Sequence, residues 1–228
     1  MKRALFLVLL VSFSTACCSL PDIQPTGPAP SPVHGFCRDA FPRRAWRMVH
    51  SIRTQWPGGR QGVMLGVVSL RPAEDTVECA LLSIEGLRLF EARDDGRLTV
   101  RRALPPFDRP VLAEGMMQDI RLLFFPPPGP PLASGQLPTG EPVCRYHLAD
   151  GTEDIMQTTS GKIVIARYDG CGRMSRRATI ARCHPEGAAG LETVACRIRL
   201  EAFGPSAYRL ELDLVEARPV LDKPKDGP

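Results

Sequence analysis

Eight cysteines, four histidines and a few carboxylate pairs are the side chains of this 228-residue chain with the most obvious capacity for chemistry. The histidines, His34, His50, His147 and His184, share no metal-ligand spacing. His50 falls on the apolar face of an alternating run and reads as an interior histidine. A nucleophile elbow of the Gly-x-Ser-x-Gly type is absent, and "LASGQL" imitates it poorly within a proline-rich stretch. Asp94 and Asp95 occupy "DDGR", where aspartates serve the backbone of a turn. Glu153 and Asp154 open a strand and read as solvated. Arg173, Arg176, Arg177 and Arg182 either meet phosphate headgroups or form the wet face of a hairpin. Cys171, Cys183, His184 and Cys196 lack the C-x-x-C pair that a zinc site usually carries. Disulfides fit the cysteines better: Cys37, Cys79, Cys144, Cys171, Cys183 and Cys196 make three bridges in an exported chain, in a pairing the sequence leaves open. No catalytic, metal or cofactor site emerges, and the chain reads as a binding protein rather than an enzyme.

Export itself is written in the first residues. Lys2 and Arg3 precede an apolar run ending near Phe13, followed by the small residues Ser14, Thr15 and Ala16. That is the layout of a secretory signal over 1–16, and the run is too short to span a bilayer. Cleavage after Ala16 makes Cys17 the new N-terminus, placed as the acylated cysteine of a bacterial lipoprotein. Ser14 stands where such a lipidation box usually has leucine, and an ordinary signal-peptidase site is the alternative. Residues 17–36 then form the lipidated terminus and a tether rich in Pro, Ser and Thr that does not pack. The formal charge of +4 includes Lys2 and Arg3, so the exported chain carries +2. With no basic block or nucleic-acid motif, a nucleic-acid partner is not expected.

Period-two patterning dominates the chain beyond the tether. "WRMVHSIRTQW", "TVACRIRLEAF" and "YRLELDL" each set an apolar face against a charged one, as half-buried strands do. Turn signals such as "WPGGR", "DDGR", "ADGT" and "DGCGR" separate the runs. Strands are expected near 45–56, 61–71, 76–84, 87–93, 97–104, 142–148, 153–159, 162–168, 176–183, 193–203 and 207–217. One segment departs from this: in "FDRPVLAEGMMQDIRLLFF", Leu112, Met116, Ile120, Leu123 and Phe124 form a helical stripe. Asp108 is the expected N-cap and Pro110 suits the first turn. The prolines from 126 onward end the helix, and 126–140 is expected to be loop. One mainly antiparallel β domain over 37–219, with a tail over 220–228, results.

A central amphipathic helix must lay its stripe on the sheet. A strongly curved sheet offers a concave apolar face, and Trp46, Met48, Ile52, Met116, Ile120, Leu123 and Phe124 are the residues expected to line a cavity for acyl chains beneath a helical lid. The competing reading is a structural or adaptor lipoprotein with a filled core, its stiff proline loop at 126–138 meeting a partner. A lipocalin would need glycine two residues before Trp46 or Trp56, and neither has it.

"LRLFEARDDGRLTVRR", "FDRPVLAEGMMQDIRLLFFP" and the hairpin with "GKIVIARYDG" together resemble a LolB-like family of bacterial lipoproteins, itself similar to the carrier proteins of the Lol pathway. The resemblance runs from about Trp46 to Pro219 and rests on element order. It implies an incomplete β-barrel with a helical lid over an apolar cavity. It also implies anchoring to the inner leaflet of the outer membrane, facing the periplasm, with lipoprotein acyl chains or other apolar lipid as cargo and a periplasmic carrier protein as a possible partner. The family's membrane-contact loop corresponds to "SIEGL", where Glu85 stands at the apolar wedge position. A charge is a poor wedge, so the neighbouring Ile84 and Leu87 are the candidate membrane contacts.

Overall fold

A computed structural model describes residues 20–25, 33–185, 192–205 and 207–220. The signal segment, Cys17, Cys18 and the tail from 221 lie outside the described residues. Among the described residues are strands β1 (Gln24–Pro25), β2 (Trp46–Gln55), β3 (Gln61–Arg71), β4 (Thr76–Leu82), β5 (Arg88–Asp94) and β6 (Leu98–Ala103). β7 (Ala133–Gln136), β8 (Pro142–Leu148), β9 (Gly151–Gln157), β10 (Ile163–Asp169), β11 (Met174–Cys183), β12 (Val194–Ala202) and β13 (Tyr208–Pro219) follow. Helix α1 spans Val33–Asp39 and α2 spans Pro110–Phe124. The strands form one antiparallel sheet in the order β1-β7-β8-β9-β10-β11-β12-β13-β2-β3-β4-β5-β6. It curls without closing: β6 ends one side and β7, with the short β1 on it, ends the other.

Two-residue alternation builds this sheet. Along β2 the even positions from Trp46 to Thr54 are buried, while Arg47, Arg53 and Gln55 face water. β13 pairs with β2 as Leu212 opposite Ile52, joining the two arms of the sheet at its centre. The inner faces of both arms make one core, with Trp46, Met48, Leu70, Ile155, Ile198 and Leu200 fully buried. Helix α2 lies over that face. It opens on Pro110 after an extended Arg109, whose side chain makes no capping bond, so the backbone and the proline start the helix rather than the expected Asp108 cap. No helix among the described residues is long and apolar enough to cross a membrane.

Several expectations are corrected. The 126–140 stretch is not all loop, since Ala133–Gln136 pairs with β8. The tether is not unstructured throughout: Gln24–Pro25 pairs with β7, and α1 begins inside it at residue 33. Among the described residues two disulfides form instead of three. Cys37–Cys144 ties α1 to β8, and Cys183–Cys196 ties β11 to β12. Cys79 and Cys171 do not pair. Cys79 is packed opposite Ala92 inside the β2–β6 arm, while Cys171 is exposed at the β10–β11 turn of the other arm. Burial pushes the Cys79 thiol up to about 12, so it stays protonated and inert.

Candidate functional site

The inner face beneath α2 gathers all seven residues expected to line a cavity. Trp46, Met48 and Ile52 project from β2 and are at most 9% exposed, while Leu123 and Phe124 come down from the last turn of α2. Met116 and Ile120 pack against the same core from its edge, half-buried. Five of the seven are at most 9% exposed, packed into the core and not open to solvent. The void bordered by Met48, Leu123, Phe124, Ile180 and Val194 measures only about 10 Å³, because the leucine and phenylalanine of α2 fill the concavity themselves. The buried face of the helix is also rotated from the expected stripe: Ala113, Met117 and Leu122 are deeper than Leu112 and Met116. A helix sitting inside a curved sheet is covered on two flanks, which a one-sided stripe does not anticipate.

Polar groups fasten α2 to both arms. On one side Asp119, 6% exposed, accepts from Arg176 Nε at 2.9 Å and from the Tyr208 hydroxyl. Arg176 stacks over the Tyr208 ring, whose centroid is 5.4 Å away, and Trp56 packs on that ring system at 5.6 Å. Burial raises the Asp119 carboxyl above its usual range, and the Tyr208 and Arg176 contacts oppose it. Burial and then the Asp119 charge keep the Tyr208 hydroxyl protonated. On the other side Arg121 donates from Nε to Asp94 at 2.6 Å and from Nη1 to Asp75 at 2.7 Å.

Beside the Asp119 latch lies a hollow of about 210 Å³, between Gln118 and Asp119 of α2 and Asp150, Arg167, Ser175 and Arg176 of the sheet. Arg167 is held there by Asp150, through two contacts of 2.9 and 3.1 Å. Glu153 and Asp154, expected in solvent, are 4% and 0% exposed. Asp154 pairs with Arg145 on the outer face, while Glu153 faces inward beside Arg167 and is pushed by burial up to about 7. The arginines at 176 and 182 are likewise not a wet face: Arg182 donates to the carbonyls of Asp39 and Thr193.

His50 is an interior residue, 1% exposed. Its Nε2 lies 3.1 Å from the Ala195 carbonyl, which can only accept, so that nitrogen carries the proton. Burial lowers its pKa and keeps the ring neutral against Phe124. No group of three or more His, Cys, Asp or Glu among the described residues is placed to hold a metal. The β4–β5 turn presents Ile84 and Leu87, 68% and 52% exposed, on either side of Glu85. The Ser83 hydroxyl holds the Glu85 carboxyl below its usual range, so this apolar tip carries a fixed negative charge.

Asp119, Arg176 and Tyr208 are the site residues that sequence reasoning missed as a set. An aspartate between Met117 and Ile120 on the apolar side of α2 was the available signal, because a buried carboxylate requires a partner. The partners themselves come from strands far along the chain.

No protein-family model matches the chain, and no curated protein matches it in sequence. Solved structures do. A LolA superfamily protein from Nitrosomonas europaea is similar over 84% of this chain and 93% of its own, with a TM-score of 0.53 and 16% identity. A domain named for outer membrane lipoprotein sorting, from Vibrio parahaemolyticus, is similar over 85% of this chain and 93% of its own, with a TM-score of 0.50 and 8% identity. At such identities the likeness is one of fold, and the incomplete antiparallel barrel with its inner helix is a LolA-like fold.

Proposed function

We propose that this protein is a non-enzymatic, lipid-anchored carrier of acyl chains or a related apolar group, acting in lipoprotein or lipid transport to the outer membrane. Cys17 carries the anchor, and the domain stands on the periplasmic face of that membrane. The observation that carries the reading is the apolar underside of α2 packed on the sheet's inner face, with Met117, Leu122, Leu123 and Phe124 buried in the shared core. That arrangement is a closed state in which the helix occupies the cargo's place. Withdrawing Met117, Leu122, Leu123 and Phe124 from the sheet costs about 6–12 kcal/mol, at roughly 1.5–3 kcal/mol per side chain. Burying an acyl chain of about fourteen methylenes returns about 11 kcal/mol, at roughly 0.8 kcal/mol each. The two nearly balance, so cargo exchanges with helix rather than binding irreversibly. Transfer then follows when a more apolar acceptor, a periplasmic carrier protein or the membrane itself, draws the chain out.

The test is uptake of a fluorescent palmitate analogue by the soluble domain and by its Met116→Asp and Ile120→Asp variants. Both positions are half-buried, so the fold tolerates the change while a charge enters the exchange surface. Uptake by the parent and loss in both variants is expected. Equal uptake by all three would refute this site.

The packed interior favours a second reading, an adaptor lipoprotein with a permanently filled core. In that case α2 never leaves the sheet, the proline segment at 126–138 offers the partner contact, and the parent domain takes up no acyl probe.

A further inference from the structure

The segment expected to be a free tether touches the outer face and the edge of the sheet, and the residue that follows it, Cys37, is bonded to the inner face. On the outer face, the Pro21 carbonyl accepts from Arg145 Nη2 at 2.8 Å. Arg145 is itself fixed by Asp154, with Nε and Nη2 each 2.7 Å from a carboxylate oxygen of a residue that is fully buried. Val143, Val164 and Ala166 share that outer face and are at most 5% exposed, so the exposed Pro21 meets the sheet on a face whose apolar side chains are buried. At the edge, Gln24 and Pro25 pair with Gln136 and Gly135 of β7. The approach is so close that a Cβ on Gly135 would collide with the Gln24 carbonyl oxygen, which explains glycine there. On the inner face, Cys37 of α1 is bonded to Cys144, the neighbour of Arg145 on the opposite side of β8. The chain therefore passes from outer face to edge to inner face, and covers an edge strand that would otherwise offer unpaired backbone groups.

We infer that residues 20–25 are a strap, and that it holds the domain against the bilayer by the outer β8–β9 flank instead of letting it swing on a linker. The bilayer half of this inference rests on the Cys17 anchor proposed above. Four residue steps separate Cys17 from Pro21, a span of at most about 14 Å. A free coil from Cys17 to Val33 would average about 20–24 Å and reach roughly 55 Å. The strap thus removes most of the tether's reach, and it determines which face of the domain meets the lipid.

Two readouts on the full-length lipidated protein in phosphatidylethanolamine–phosphatidylglycerol vesicles test this. Hydrogen exchange at the Gln24 amide, paired with Gln136, should be at least tenfold slower than in a peptide of the same sequence. The Gly135→Val variant, and separately Ile23→Asp within the strap, should abolish that protection while β10–β12 stay protected. A fluorescent residue replacing His147, exposed on the outer side of β8, should be quenched several-fold more by headgroup spin-labelled lipid than one replacing Val100 on β6. Either variant should erase that difference. Peptide-like exchange in the parent would overturn the strap, and equal quenching at the two positions would overturn the orientation. Intact mass shows whether Cys17 is acylated. Its absence would refute the anchor and the bilayer half, while exchange in the soluble protein still decides the strap alone.

Discussion

The two arms of the sheet are held together by different means. The β7–β12 arm carries both disulfides, the strap, and the buried Arg145–Asp154 pair. The β2–β6 arm has no disulfide; its one cysteine is the protonated, buried Cys79, and its β4–β5 turn exposes Ile84 and Leu87. Helix α2 follows β6 in the chain and is latched to the stapled arm through Asp119 and to the open arm through Arg121. The difference points to where motion belongs. A frame that keeps one wall of the concavity rigid lets α2 and the open arm move without losing the fold.

The comparison breaks most severely if its staple is removed. Replacing Cys37 and Cys144 by alanine opens a loop with a sequence separation of 107 and should cost about 5 kcal/mol, read as a lower urea midpoint. The Cys183–Cys196 bridge closes a separation of 13 and should cost about 3 kcal/mol. Cys79→Ala in the open arm should cost about 1 kcal/mol, since only a small cavity is left. A larger loss for Cys79 than for either bridge would contradict the contrast.

Glu153 gives the stapled arm a pH signature. Its folded-state pKa of about 7 lies above the ordinary value of 4.5, so the native state retains a proton that the unfolded chain releases. The resulting stability is complete below pH 4.5 and is lost as pH rises through 7. Glu153→Gln should therefore stabilise the protein by about 3 kcal/mol at pH 8 and change little at pH 4, measured by urea unfolding at both. An equal effect at the two pH values would rule out a buried, proton-retaining carboxyl.

The helix latches should differ in the same direction. Asp119→Asn leaves Arg176 without its charge partner in a partly buried site and should cost about 2 kcal/mol, while speeding acyl-probe uptake several-fold. Arg121→Gln loses an exposed partner, Asp75 at 71%, and a more buried one, Asp94 at 13%, and should cost about 1 kcal/mol, less than Asp119→Asn. Smallest of all, Ile84→Ser with Leu87→Ser should shift stability by under about 0.5 kcal/mol, yet weaken binding of the unanchored domain to vesicles.

Much of this frame is legible in the sequence, for a physical reason. A strand with one dry face must alternate, so β2, β12 and β13 announce themselves, and α2 declares itself by its stripe and the prolines that end it. Segments ordered by distant contacts do not. "ASGQ" in β7 has no alternation, and Gln24–Pro25 becomes a strand only because Gly135 admits it. Glu153 and Asp154 look like turn-edge carboxylates until the folded sheet buries Glu153 on its inner face and pairs Asp154 with Arg145 on its outer one. The candidate site is legible in part. Its seven apolar residues converge as the pattern suggests, but whether they enclose space depends on how deeply α2 sits, and periodicity does not encode depth.

The central claim is that α2 yields its place to an apolar chain. The direct measurement is mass spectrometry of an organic extract from the protein expressed in a bacterial periplasm, with Cys17 and Cys18 changed to Ser and purified without detergent. A stoichiometric acyl lipid, lipopeptide or polyene is the predicted result. A clean extract, followed by no uptake when lipid is added back, would contradict the carrier account and leave the filled-core adaptor.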